Sequence, residues 1–319
     1  MDVIQLDVSD ESEAMKGALE LAGGDASFFK MPHVSSLVVS GNRILSANQT
    51  PGIVLEKKST EYGVDIELTI KKGYKIPDPV HLCFGFLPKE GLQQINVSMI
   101  AEEDSSVQLV AHCTFPNSEH VIHKMDANII IHKNAFLKYD ETHFHGEMGG
   151  VEVIPKAKIE IKEGGRYFTG LTLISGRVGL LDLDYDVEAC RDSVCELSTK
   201  VHGKDTDIIK IKEKVSLIGE NARSVTKSRV AIADNAVAEF TGITEGHAPH
   251  AFGHVDCVEV IQGNAVACAI PIVRVDNPLA KVTHEAAIGS VDKKEVETLM
   301  ARGLEEGEAV DIIVKGMLM

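Results

Sequence analysis

The residues best suited to chemistry lie between Gly253 and Val291, where two thiols, Cys257 and Cys268, stand close to an adjacent imidazole and carboxylate, His284 and Glu285. Residues 257–261, 265–275 and 280–283 are rich in β-branched and small apolar types. Gly263-Asn264 and Asp276-Asn277-Pro278 punctuate them as turns, which predicts three short strands. Thiols and an imidazole on successive strands suit a soft metal or a metal–sulfur cluster, and a mixed Cys/His/Glu shell holds such a group more loosely than four cysteines. Because neighbours on a strand point to opposite faces, His284 and Glu285 enter one site only through a bulge or a second subunit.

Other candidates are more scattered. Cys113, beside His112 in AHCTFP, is a sulfur nucleophile only if it is partly exposed and easily deprotonated; otherwise it is a core residue. The run THFHGE puts His143 and His145 on one strand face near Glu147, a metal-site spacing that equally suits an exposed polar strand. His247, His250 and His254 fall in a Gly/Pro loop and read equally well as solvated. Cys83, Cys190 and Cys195 read as structural, and no CxxC pair exists.

Composition bounds the function. The chain has 319 residues, a formal charge of −16 and a pI near 5.2, with no basic stripe to neutralise phosphates, so nucleic acid is an unsuitable partner. The longest clean apolar run, 265–273, ends at Arg274, too short to span a membrane. The N-terminus lacks the basic-then-apolar order of a signal peptide, which predicts a cytoplasmic protein with reduced thiols. There is no GxxxxGK[ST], GxGxxG or GxSxG motif, so any nucleotide hydrolysis belongs to a partner and the chain is not expected to be an enzyme.

The elements that must position these residues are mostly strands. Residues 9–22 predict a helix with Ser9 as N-cap and Gly23-Gly24 as its stop. Residues 35–72 predict strands, with a hairpin at Gly41-Asn42, and three prolines in 76–91 mark a boundary. After Gly91 a short strand, an Asn/Gly-Ala corner and another strand recur, suggesting a solenoid coil every twenty-odd residues, with a β-sandwich as the alternative. Trp is absent and aromatics make up 5%, which favours a layered core of Val, Ile, Leu and Ala. From Asp292 a helical period returns. Val296, Leu299 and Met300 share one face of a first helix, and Ala309, Ile312, Ile313 and Met317 form the expected buried stripe of a second.

The run NPLAKVTHEAAIGSVD, followed by KKEVETLMARGLEEGEAVDIIVKGML, closely resembles the C-terminal region of SufB and SufD, the paired scaffold subunits of Suf iron–sulfur cluster assembly. The similarity continues through KSRVAIADNAVAEF, GHVDC and AHCTFPNSEHVIH, covering roughly the last two-thirds of the chain. It implies a mainly β fold, with a right-handed parallel β-helix core at 92–290 and a small helical domain at 291–319, to which the helix and strands read at 1–91 add an N-terminal α/β cap. It also implies a transient iron–sulfur cluster, iron and sulfide or persulfide donors, and a SufC-like ABC ATPase gripping the helices through Val296, Leu299, Met300, Ile312, Ile313 and Met317.

His284 and Glu285 match the His-Glu of SufB, and His284 also matches the functional histidine of SufD. Cys113 resembles the SufB cysteine that receives sulfur. The SufB ligand cysteine, counted back from Pro271, falls on Ala265, so Cys268 or Cys257 must replace it. A short chain with the SufB-like glutamate suggests a minimal form, archaeal or bacterial, in which one gene product forms a homodimer through the β-helix end. The alternatives are a SufD-like accessory subunit that holds no cluster, and a purely structural β-helix.

Overall fold

Along the strand Val151–Ile161 buried and exposed residues alternate without a break, which puts one apolar face of each strand inward. Strands of this kind fill the computed structural model, which describes residues 8–318. Residues 1–7, the start of the segment read for a signal peptide, and Met319 lie outside the described residues. From Gly63–Ile70 onward successive strands alternate between a ten-stranded and a nine-stranded sheet, and each pairs in parallel with the strand two positions on until the last coil. The result is a parallel β-helix with a flattened, two-sided coil. Corresponding residues recur every 28 to 31 positions rather than every twenty-odd. The coil is longer than expected because most of its strands run ten residues, so two strands and two corners complete one turn.

The corners show why Asn, Asp and Gly recur. Asp104, Asn134, Gly164, Asp192, Asn221 and His250 all take left-handed backbone conformations, with φ between 55° and 65°. Each donates its N–H to the carbonyl preceding the equivalent residue of the next coil, for example Asn134 to Glu163 and His250 to Leu279. Side chains add to this column where they can: Asn134 donates to Asp104 and Asn221 to Asp192. Asn and Asp tolerate this conformation better than other residues with a Cβ, which is why they mark the corners.

The N-terminal strands join the same two sheets. The hairpin Ser36–Ser40/Arg43–Asn48 pairs in parallel with Val80–Gly85, and the hairpin Ile53–Ser59/Gly63–Ile70 with Glu90–Ala101. One continuous apolar core runs from Leu37 to Ala265. Helix α1 (Val8–Leu21) contains Ser9 rather than starting after it, and buries Met15 and Leu19 with Phe28, Val38 and Cys83 in a separate cluster.

At the other end Asp292 caps α2 (Lys293–Met300) by accepting from the Lys294 N–H. Helix α3 (Glu306–Leu318) packs Val314 and Leu318 against Ala231 and Val260. The predicted stripe is partly wrong: the buried residues are Ala309, Val314 and Leu318, while Ile312 is 47% exposed. Ile312 precedes Val314 by two residues, about 200° round the helix, so when one faces the sheet the other faces away. On α2 Val296 is buried, and Met300 is exposed. Among the described residues no helix is long and apolar enough to cross a membrane.

Candidate functional site

The strands Phe252–Ile261, Val266–Val275 and Lys281–Gly289 form the last coil and separate the four predicted ligands by direction. His284 continues the inward column Thr226, Val255, and Cys257 continues that of Ser228. Two inward columns on adjacent strands meet diagonally, and Cys257 Sγ lies 3.6 Å from His284 Nε2. Glu285 stands in register with Asp256, on the outer side of the same sheet. Cys268 stands beside Glu239, on the outer side of the other sheet, and is exposed. Ala265 is a buried residue of the core. Cys257 and His284 are therefore brought together, and Cys268 and Glu285 are not.

Glu259, a residue that sequence reasoning missed, completes this end of the lumen. It lies two positions from Cys257 on the same strand face, is 1% exposed, and both of its carboxylate oxygens lack hydrogen-bond partners. Burial pushes its carboxyl up to about 7. Burial, with the nearby Glu259 and Asp256 carboxylates, pushes the Cys257 thiol up to about 11. His284 is lowered, first by burial and then by His254. The pocket thus holds a neutral thiol, a neutral imidazole and a reluctant carboxylate. A soft cation entering here would supply the charge that favours their deprotonated, ligating forms.

The last coil is also open at its end. Val273 continues the inward column of Thr244, which is buried, yet Val273 is 45% exposed because no further coil covers it. Val266, Ile270, Ile272, Val275 and Ile288 add to the exposed apolar surface around this edge.

A second cluster lies deeper. Cys113, Glu141 and His143 meet inside the β-helix, with ligand atoms all within 4.8 Å of one another. Cys113 Sγ is 3.6 Å and His143 Nε2 is 2.5 Å from Glu141 Oε1, and Tyr139 donates to Glu141 Oε2 at 2.7 Å. Burial alone would raise Glu141, but hydrogen bonds and charge from His143, helped by Tyr139, outweigh it and hold the carboxyl at about 2. Cys113 is 0% exposed, and burial with the Glu141 charge pushes its thiol up. The exposure and easy deprotonation expected of a sulfur acceptor are therefore not features of Cys113 in this conformation.

His143 and His145 do share a face, but that face is interior, and their carboxylate is Glu141 rather than the exposed Glu147. Tyr139, Glu141, His143 and His145 follow one another at period two, the signal that could have revealed them as one inward file. The loop histidines disperse: His247 bonds Asp276, His250 is a corner residue, and His254 bonds Thr283.

The family model for "SUF system FeS cluster assembly, SufBD core domain" matches residues 87–317, which include both clusters and the C-terminal helices. The chain belongs to the SufBD family. An iron–sulfur cluster assembly SufBD family protein of Methanocaldococcus jannaschii is 44% identical over 282 residues, covering 88% of this chain and 89% of that protein. A SufBD family protein of Pyrococcus horikoshii is 33% identical over 308 residues, covering 97% and 94%. One from Archaeoglobus fulgidus is 28% identical over 247 residues, covering 77% and 66%. This SufBD chain is thus placed in iron–sulfur cluster assembly, with the thiols and imidazoles of both clusters inside the matched core.

Proposed function

We propose that this SufBD chain is a scaffold on which an iron–sulfur cluster is assembled at the open end of the β-helix, with Cys257 and His284 as ligands and Glu259 as the carboxylate beside them. The observation that carries this reading is the 3.6 Å approach of Cys257 to His284 in the one coil whose inward face is left uncovered. Iron and sulfide are the substrates here and the assembled cluster is cargo. A shell of one thiolate, one imidazole and one carboxylate per chain would hold it loosely enough to hand on.

A second copy of the chain is the best cover for the open end, since it would bury Val273 and the surrounding apolar residues and bring a second Cys257–His284 set to the same place. Cys268 and Glu285, facing outward on different sheets, would act only across such an interface. Helices α2 and α3 leave a shallow groove lined by Leu299, Thr298 and Ile313, which suits docking of a SufC-like ABC ATPase that supplies the ATP hydrolysis. The SufD-like accessory reading is favoured by one observation, that Ala265 stands buried where SufB carries its cysteine.

Anaerobic reconstitution with iron and sulfide, read by visible and EPR spectra and by iron and sulfide counts per dimer, tests the scaffold. The expected result is a stoichiometric cluster that is lost in Cys257→Ala and kept in Cys268→Ala. No cluster in a folded wild-type dimer that binds the ATPase would move the chain to the accessory role. Loss in Cys268→Ala alone would put the site on the outer face.

A further inference from the structure

In the deeper cluster, His143 and Glu141 approach so closely that something must lie between them. The Arg177 carbonyl can only accept, so His145 Nδ1, 2.9 Å away, carries a proton and donates to it. Neutral His145 then offers a bare Nε2 that can accept from His143 Nδ1, 3.4 Å away. His143 Nε2 lies 2.5 Å from a Glu141 carboxylate oxygen, which can only accept. Two acceptors cannot stand at that distance with nothing between them. Either a proton or a metal cation occupies the position.

The same reasoning applies to His123 on the strand His120–Ile131 of the other sheet. Gln93 Nε2 donates to the Gly41 and Gly85 carbonyls, which fixes its amide orientation and leaves Oε1 as an acceptor. His123 Nδ1, 2.9 Å from that oxygen, therefore carries its proton, and Nε2 is a bare lone pair. It is buried without a partner, in a ring 6.0 Å from that of His143 and 1% exposed. An unpaired buried nitrogen is costly unless something at the site uses it.

We propose that Cys113, Glu141 and His143 form a closed mononuclear site for a thiophilic divalent cation, Zn²⁺ or Fe²⁺, with His123 as the fourth donor and His145 orienting His143. A Cys/Glu/His/His set suits a tetrahedral site. The 3.6 Å between Cys113 Sγ and Glu141 Oε1 is close to the separation of about 3.5 Å between a sulfur and an oxygen on one tetrahedral zinc ion. His143 must retreat from Glu141 by less than about 1 Å to admit the ion between them.

The exchange balances: M²⁺ enters, the Cys113 thiol proton leaves, and the proton between His143 and Glu141 leaves or moves to His143 Nδ1. The loaded site is neutral, as thiolate, carboxylate, imidazole and M²⁺. No net charge is buried once the ion is held, so the low-dielectric lumen is no obstacle. His145, held by Arg177, is the kind of outer-shell group that fixes a ligating histidine's tautomer. This site stands apart from the terminal coil and does not depend on where the cluster is built.

Because the strands close over the site, the ion is loaded as the chain folds. The test is refolding of the full chain with Co²⁺ as the probe, followed by gel filtration, metal counting and absorption spectra. Expected are one Co²⁺ per chain with thiolate-to-cobalt and tetrahedral d–d bands, retained in Cys257→Ser and lost in Cys113→Ser. Glu141→Gln should bind at least tenfold more weakly. Should Cys113→Ser misfold by circular dichroism, Cys113→Ala and His143→Gln give the same readout in a neutral cavity. Cobalt bands that survive Cys113 variants and vanish in Cys257→Ser would overturn the proposal. So would a folded wild-type protein that keeps no cobalt, which would make the charge between His143 and Glu141 a proton only.

Discussion

Replacing Glu213 with glutamine should stabilise the protein at pH 8 and do little at pH 5. Glu213 points into the β-helix at 1% exposure; Thr199 donates to one carboxylate oxygen at 2.7 Å, and the other has no partner. Burial pushes its carboxyl from an ordinary 4.5 up to about 7. A carboxyl whose pKa is raised on folding holds its proton more tightly in the native state, so its contribution is favourable below the unfolded value. It is lost as the pH rises from about 4.5 through 7, and then levels off.

At about 1.36 kcal/mol per unit, ionising Glu213 in the folded protein costs about 3 kcal/mol at pH 8 and less than about 1 kcal/mol at pH 5. Glutamine copies the neutral acid in shape and keeps the acceptor for Thr199. Glu213→Gln should therefore raise the urea midpoint at pH 8 by the equivalent of about 3 kcal/mol, with the gain shrinking toward pH 5. The measurement is paired urea titrations of both proteins at pH 5, 6, 7 and 8. A gain that does not change with pH, or a loss at pH 8, would refute the argument that this buried carboxylate is ionised at a cost.

Gln93 ties three groups together, donating to the Gly41 and Gly85 carbonyls and accepting from His123; Gln93→Leu should cost about 2 kcal/mol in urea titration, because His123 Nδ1 loses its acceptor and the Gly41 carbonyl this donor, while the Gly85 carbonyl keeps the Gly41 N–H. The Asp207 carboxylate accepts from the Arg177 guanidinium and from the N–H groups of Val178, Gly179 and Lys204, so Asp207→Ala should destabilise by about 3 to 5 kcal/mol and lower the thermal midpoint, with Ser198→Ala as a control. Val273→Glu places a charge on the uncovered lumen end and should turn a dimer into a monomer in light scattering without changing the circular dichroism spectrum. Leu299→Asp should abolish binding of a SufC-like ATPase in pull-down while leaving the reconstituted cluster intact.

Period-two alternation and the Asn, Asp and Gly corners are local properties, which is why strands, turns and a stacked coil were legible before any contact was known. The coil length was not legible, because a corner and a strand end look alike in sequence and only the pairing of Tyr139 with Thr169, or Val255 with His284, shows how far the chain travels before it returns. The face of α3 was misjudged for a related reason: Ile312 and Val314 are both apolar, and the sheet beneath them decides which is covered.

The sequence by itself determined the strand-and-corner repeat, the SufBD resemblance with the β-helix it implies, and which residue types could serve as ligands, since these depend on side-chain chemistry and on order along the chain. Only the tertiary structure decided which of those residues meet. Register across about thirty residues sets Cys113 beside Glu141 and His143, and strand phase turns Cys257 and His284 inward while Cys268 and Glu285 face out. A shift of one residue in either would exchange the inner and outer sets, because side chains alternate at a period of two, and nothing local to those residues specifies it.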